Sequence, residues 1–168
     1  MRRPSRNAIA AMSVSAAAFA ALVGHEGYSD RAIIPVKGDV PTVGFGSTVR
    51  EDGSRVQMGD TITPQQAIVR SLWHIQKDER GIKSCVSAPL SQTEYDLMTD
   101  FAYQYGVVAL CKSSIVSEAN AGRYEQSCAG YLKYRFVAGY DCSTPGNRRC
   151  PGVWTRSQGR YQTCMASQ

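Results

Sequence analysis

All six cysteines of this chain, Cys85, Cys111, Cys128, Cys142, Cys150 and Cys164, fall in its second half. An even number without a C-x-x-C pair fits three disulfides made in an oxidising compartment, so the rear of the chain must fold as a cross-linked body. Spacing alone leaves many pairings open. We expect Cys142 with Cys150 across the Ser-Thr-Pro-Gly-Asn loop, Cys111 with Cys128, and Cys85 with Cys164. Zinc is the competing use of thiolates, but His25 and His74 are the only imidazoles, and neither a metal nor a cofactor is expected.

The charge is uneven. Of 19 Lys plus Arg and 14 Asp plus Glu, residues 101–168 hold 8 of the basic and 3 of the acidic groups, and residues 1–24 hold three arginines and no acid. A basic rear half suits an anionic polymer or surface as partner, and equally a solvated face with no specific ligand. At 168 residues the chain is long enough for one compact domain with a real core, and too short for a large multidomain architecture.

Arg2, Arg3 and Arg6 precede an uncharged run of 17 residues, Ala8 to Gly24, with the layout of an export signal. As a helix it would span about 25 Å against a bilayer core of roughly 30 Å. Its alanines contribute little to insertion, and its few large apolar residues are partly offset by Ser13 and Ser15. Such a weak segment can insert with its arginines inside and later leave the membrane. Ala16-Ala17-Ala18 and Ala18-Phe19-Ala20 also match a cleavage pattern. Either way the folded part is exported, and we divide the chain into a leader, residues 1–24, and a globular domain, residues 25–168.

Behind the leader, glycines, short β-prone runs and turn signals at Lys37-Gly38-Asp39 and Asp52-Gly53 predict a small antiparallel sheet over about Asp30 to Gly59. Helices follow. Thr63-Pro64 opens one, and Ser91-Gln92-Thr93-Glu94 is a capping box for another that ends at Gly106. Shorter helices are expected over Ser114 to Ala121, Tyr124 to Tyr134 and Trp154 to Met165. The class is α+β, a small sheet lobe followed by a mainly helical body.

Nucleophilic triads and zinc hydrolases lack raw material in a chain with two histidines, and Gly44-Phe45-Gly46 is no dinucleotide fingerprint. Carboxylates remain. Glu26 ends the apolar leader in Val23-Gly24-His25-Glu26-Gly27-Tyr28, and a carboxyl among apolar neighbours has its charged form disfavoured, which suits a general acid. Glycoside cleavage needs such an acid and a second polar or anionic group across the anomeric carbon. Asp39, on the loop before Thr42, is placed to supply it. Tyr103, Gln104 and Tyr105, just before Gly106, are candidates to hold sugar. Arg156 and Arg160, one turn apart, suit ion pairs better than polymer binding.

Glu26-Gly27-Tyr28 followed by Thr42-Val43-Gly44-Phe45-Gly46-Ser47-Thr48 closely resembles the catalytic front of phage-type lysozymes, the muramidase endolysins of glycoside hydrolase family 24. The likeness runs on through Gly59-Asp60-Thr61-Ile62-Thr63, Pro89-Leu90-Ser91-Gln92 and Asn120-Ala121-Gly122. With an Ala-rich leader abutting the glutamate, the chain resembles the signal-anchor-release branch of that family. The resemblance implies a lysozyme-like fold with the active-site cleft between two lobes, Glu26 as proton donor, and Thr42 as the residue that positions a water or the sugar. Members usually carry an Asp, sometimes a Cys, nine residues after the glutamate and six before the threonine. Here Pro35 and Val36 stand at those places, and the loop is one residue longer. Asp39 takes the second role on this reading, with Asp30 the runner-up.

The expected activity is therefore hydrolysis of the muramyl bond of peptidoglycan, causing host lysis, by a monomer exported to the periplasm. The inner membrane is a transient partner through residues 8–24, and nucleic acid is not a partner. Two rivals are a lytic transglycosylase, which makes an anhydro sugar from the same bond, and a non-enzymatic wall-binding module. With no cysteine in the leader, thiol exchange cannot release it. A chain lacking residues 2–24 and exported by another signal is expected to be active.

Overall fold

The computed structural model describes residues 5–35 and 38–168. It divides into two units: Val14–Glu79, and the described residues up to Ser13 together with Arg80–Gln168. The turn signal at Lys37 lies partly outside the described residues.

In the first unit Ser15 caps α1 (Ala16–Glu26), its side chain accepting from the Ala18 N–H at 3.1 Å. After Gly27 the chain enters β1 (Ser29–Ile33), antiparallel to β2 (Thr42–Gly44). Ser29 pairs with Gly44 and Ile33 with Thr42, so β1 takes two more steps than β2 and the register is irregular between the two pairs. The other edge of β1 meets the segment before α2: Ala32 N–H donates to the Asp60 carbonyl and Ile62 N–H to the Asp30 carbonyl, both at 2.9 Å. Ala32, Val43, Val56, Ile62 and Ala67 form the core of this unit, with Phe45 against it. Thr63 and Gln66 bond reciprocally, side chain to backbone, at the start of α2 (Pro64–Cys85), a capping box beside the expected proline.

The second unit is helical, apart from one small hairpin. α3 (Gln92–Tyr105) opens on the expected capping box at Ser91 and Glu94 and stops at Gly106, whose φ of 85° suits glycine. α4 (Val107–Cys111), α5 (Ser114–Asn120) and α6 (Tyr124–Gly130) follow, then a 3₁₀ turn, Tyr131–Lys133, and α7 (Pro151–Ala166). The helix expected to run to Tyr134 thus tightens after Gly130. Gly130 packs so close to Ile115 that an added Cβ would sit 2.8 Å from its side chain. A hairpin of β3 (Phe136–Val137) and β4 (Tyr140–Asp141) was not legible beforehand; it turns on Ala138 and Gly139, both at positive φ. The core gathers Ile82, Leu90, Tyr95, Met98, Phe101, Leu110, Ile115 and Tyr131 among others.

The disulfides correct two of the three expected pairings. Cys142 joins Cys150, as expected, but Cys85 joins Cys111 and Cys128 joins Cys164. Helix docking decides this. Gly81 lets Val107 approach until an added Cβ would lie 2.6 Å from it, which brings the end of α2 to the end of α4. Cys128 and Cys164 are buried together where α6 meets α7.

The leader run is divided as well. Ile9–Ala11 is a single 3₁₀ turn, the chain is extended from Met12 to Ser15, and only then does α1 begin. Ile9 and Met12 are buried in the core of the helical unit. Asn7 and Leu90 exchange backbone hydrogen bonds at 2.8 and 2.9 Å, and the Gln92 side chain donates to the Ser13 carbonyl at 2.8 Å. The Val14 N–H donates to the buried Glu79 carboxylate at 2.7 Å. These partners outweigh the helix propensity of the alanines. Among the described residues no helix is long and apolar enough to cross a membrane.

Candidate active site

Glu26 stands at the last position of α1, four residues after Leu22, which is 1 % exposed. One turn of helix puts both on the same face, so the carboxyl emerges over the packed side of α1 and is half-buried. Gly27, at φ 70°, takes a conformation costly for other residues and turns the chain at once into β1. Tyr28 then anchors the corner, its hydroxyl donating to the Ile62 carbonyl at 2.8 Å and its ring meeting Phe45 at 5.5 Å between centroids.

The Thr42–Gly46 motif folds back onto this corner. Val43 and Ser47 exchange backbone hydrogen bonds at 3.0 and 3.1 Å, closing a tight turn over Gly44, Phe45 and Gly46. Each glycine answers a separate demand. A Cβ on Gly44 would stand 2.9 Å from the Ala67 Cβ of α2, and a Cβ on Gly46 would stand 3.3 Å from Glu26 Oε2. The backbone of the motif therefore lies directly against the glutamate carboxyl. Sequence reasoning placed these glycines in a motif without assigning them this contact; the spacing of two glycines around one aromatic was the available signal.

Thr42 is half-buried in β2, and its neighbour Val43 points the opposite way into the core. The Thr42 hydroxyl makes one long contact, 3.5 Å to the Ile33 carbonyl. Asp39 is exposed beyond the undescribed pair 36 and 37, and its Oδ1 accepts from the Val40 N–H at 2.8 Å. Asp30 is an exposed residue of β1. The fold thus brings Glu26 and Gly46 of the motif together, and leaves Asp39 engaged with its own loop.

Around this corner the charges are paired. Arg50 holds Asp60 through two hydrogen bonds, 2.9 and 2.7 Å, and keeps its carboxyl below the usual range. Arg70 holds Glu51 at 2.8 Å. His74 meets the Val49 carbonyl at 3.1 Å, and burial lowers its basicity. Farther along α2, burial pushes Asp78 up to about 6 against the opposing pull of Lys77.

The three sugar-binding candidates belong to the helical unit. Tyr103 is half-buried on α3. Gln104 Oε1 accepts from Arg160 Nη2 at 2.7 Å. The Tyr105 ring packs on Phe101 at 4.7 Å and Tyr134 at 5.2 Å. Arg156 and Arg160 form ion pairs, as their spacing suggested, both with Asp100. Among the described residues no group of His, Cys, Asp and Glu is arranged to hold a metal ion.

Residues 23–159 match the family model described as phage lysozyme. The SAR-endolysin of Pseudomonas phage phiKMV is 33% identical over 137 residues, which cover 82% of this chain and 78% of that protein. The endolysin of Salmonella phage P22 is 28% identical over 124 residues, covering 74% and 84% respectively. Among solved structures, an endolysin from Escherichia coli O157:H7 phage FAHEc1 superposes with a TM-score of 0.78 at 24% identity, over 94% of this chain and 96% of that one.

Proposed function

The chain belongs to the phage lysozyme family, and on that premise we propose that Glu26 is the general acid with which it cleaves the bond between N-acetylmuramic acid and N-acetylglucosamine. It is an endolysin of lysozyme type, with a lysozyme-like α+β fold, and peptidoglycan is the substrate of its family. The observation that supports the assignment is the approach of the motif backbone to the carboxyl: an added Cβ on Gly46 would stand 3.3 Å from Glu26 Oε2. In the proposed reaction Glu26 gives its proton to the glycosidic oxygen as the bond to the anomeric carbon breaks, and water adds to that carbon, its proton passing to a carboxylate of the site so that the acid is restored. Thr42 positions that water or the sugar. Asp39 supplies the second carboxylate and stabilises the positive charge that develops on the ring.

The leader reading is also proposed. Residues 8–24 span the inner membrane for a time with Arg2, Arg3 and Arg6 on the cytoplasmic side, then leave it to take the path described above, and the monomeric enzyme works in the periplasm. While the run spans, helical rise keeps Glu26 within about 5 Å of the hydrocarbon, too near to meet the wall. The uncharged run and the likeness to a SAR-endolysin support this. Because Ile9 and Met12 pack in the core, deletion of residues 2–24 is a poor test. Ala17→Leu, Ala20→Leu and Ala21→Leu alter exposed positions and raise membrane affinity. The triple variant should stay membrane-bound and delay lysis, and unchanged release would refute the tether.

For the chemistry, wild type, Glu26→Gln and Asp39→Asn are compared for clearing of outer-membrane-stripped cells, with muropeptide masses measured. New reducing ends from wild type and none from Glu26→Gln, with folding intact, are expected. Anhydro products, or clearing by Glu26→Gln, would overturn the assignment.

A further inference from the structure

From residue 134 to its end the sequence holds five arginines and one acid, Asp141. Arg156 and Arg160 are taken up by Asp100, and Arg135 pairs with Asp141 at 3.2 Å. Arg148 and Arg149 are exposed, and neither pairs with a carboxylate among the described residues. They are held beside the β3–β4 hairpin. Cys142–Cys150 closes the segment that carries them, the Asn147 side chain donates to the Cys142 carbonyl at 2.9 Å, and Asn147 Oδ1 accepts from the N–H groups of Arg149 and Cys150. The Arg149 guanidinium carbon lies 5.4 Å from the centre of the Tyr140 ring, and that of Arg135 lies 5.4 Å from the centre of Phe136.

Between these arginines the hairpin is apolar and open to solvent: Phe136 is 54 % exposed and Val137 40 %. Val137 pairs with Tyr140 across the hairpin, and the two residues between them, Ala138 and Gly139, stand at φ 48° and 79°. Such a turn favours Asn or Asp at its first position, and an alanine there is strained. The alanine leaves a tip, Phe136 to Gly139, with no polar side chain. Single exposed apolar residues need no explanation. A contiguous apolar tip rimmed by arginines marks an interaction site.

We propose that this hairpin is a docking surface for an anionic lipid bilayer, with Phe136 and Val137 entering the interface while Arg148 and Arg149 meet headgroup phosphates. Arg135 neutralises Asp141, so the one acid of the region does not oppose the contact. A hydrated anionic polymer would use the arginines and gain nothing from the apolar tip, whereas at a bilayer surface both contribute. The forked donors of arginine suit phosphate oxygens. With so small an apolar area the contact is weak and reversible. The surface is distinct from residues 8–24 and makes no use of Glu26, so it is tested apart from the muramidase reading.

The test uses the full-length oxidised protein, sedimented with vesicles of phosphatidylglycerol and phosphatidylethanolamine, with phosphatidylcholine vesicles as the uncharged control. Wild type should bind the anionic vesicles, less well as salt rises, and should bind phosphatidylcholine about tenfold more weakly or worse. Arg148→Ser with Arg149→Ser should weaken binding about twenty-fivefold, about fivefold for each charge. Phe136→Ser with Val137→Ser should weaken it about tenfold. Ala138→Asp separates docking from a purely structural role: it eases the turn and should keep or raise the melting temperature, yet it puts a negative charge at the tip and should weaken binding about fivefold. Phe136→Trp should bind with blue-shifted emission that brominated lipid quenches beyond the wild-type signal of Trp73 and Trp154. Absence of wild-type binding would overturn the proposal. So would wild-type affinity in Ala138→Asp and the double variants, which would put the binding elsewhere, in residues 8–24 above all. Binding to soluble polyphosphate as tight as to vesicles, with Phe136→Trp unquenched, would mark a polymer site and overturn it as well. Should a double variant fail to fold, Ala138→Asp and Phe136→Trp decide.

Discussion

Replacing Arg6 by Ala tests whether the N-terminal segment is a working part of the fold. Arg6 makes two hydrogen bonds to the Glu94 carboxylate, at 3.0 and 2.7 Å, and a third to Gln168 Oε1 at 2.7 Å. Its guanidinium carbon also sits 3.6 Å from the centre of the Tyr124 ring. Glu94 is 4 % exposed, so the substitution leaves a buried carboxylate without its cation. Breaking such a pair costs up to about 5 kcal/mol, but Glu94 keeps its bonds from the Ser91 N–H and the Gln168 amide, which brings the expected loss to about 3 kcal/mol. That is a large share of the ~5–15 kcal/mol that holds a domain of this size. Burial raises the Glu94 carboxyl while Arg6 and the Ser91 N–H lower it further, so its folded value lies below the ordinary one. A carboxylate lowered on folding stabilises above its ordinary range, and this contribution fades as pH falls through the folded value. Urea unfolding of the oxidised protein at pH 7 and at pH 3 measures both effects. Arg6→Ala should show a smaller stability deficit as pH falls toward the folded value of Glu94, and Arg6→Met with Glu94→Gln should recover most of it at pH 7. A loss under about 1 kcal/mol, or one independent of pH, would show that the latch between leader and α3 is not formed.

Gly46→Ala should cut activity at least tenfold, because the new Cβ crowds Glu26 Oε2, while the positive φ costs only about 1 kcal/mol in unfolding; an active variant would separate the turn from the glutamate. Asp78→Asn should stabilise the protein by about 1 kcal/mol at pH 8, after allowance for solvent screening, since the wild-type carboxyl is raised to about 6 and being charged there opposes folding. That gain should shrink as pH falls through 6 toward 4, and a constant gain would refute the assignment. Removing Cys128–Cys164, with its separation of 36 residues, should cost about 4 kcal/mol, against about 2.5 kcal/mol for Cys142–Cys150, separated by 8. Non-reducing peptide maps should join Cys85 to Cys111, and a Cys85–Cys164 peptide would contradict the docking of α2 on α4.

Local chemistry was legible where its partners lie within a few residues. Ser91 and Glu94 form their capping box, Thr63 and Pro64 open α2, and Gly106 ends α3, because each interaction closes within one helical turn. The short Cys142–Cys150 loop was legible for the same reason. Glu26 and the Thr42–Gly46 motif were named together through the family resemblance, while the contact of Gly46 with the glutamate was not read from the sequence. What depends on packing distant segments was not legible. The partners of Cys85, Cys111, Cys128 and Cys164 follow from which helices dock, and that rests on contacts such as Gly81 against Val107. The alanines from Ala8 onward favour one unbroken helix, yet Glu79, Leu90 and Gln92, all more than 60 positions away, hold that stretch extended from Met12 to Ser15. Propensity amounts to tenths of a kcal/mol per residue, while a buried acceptor left without its N–H costs about 1–3 kcal/mol, so the tertiary partners decide the path of the leader.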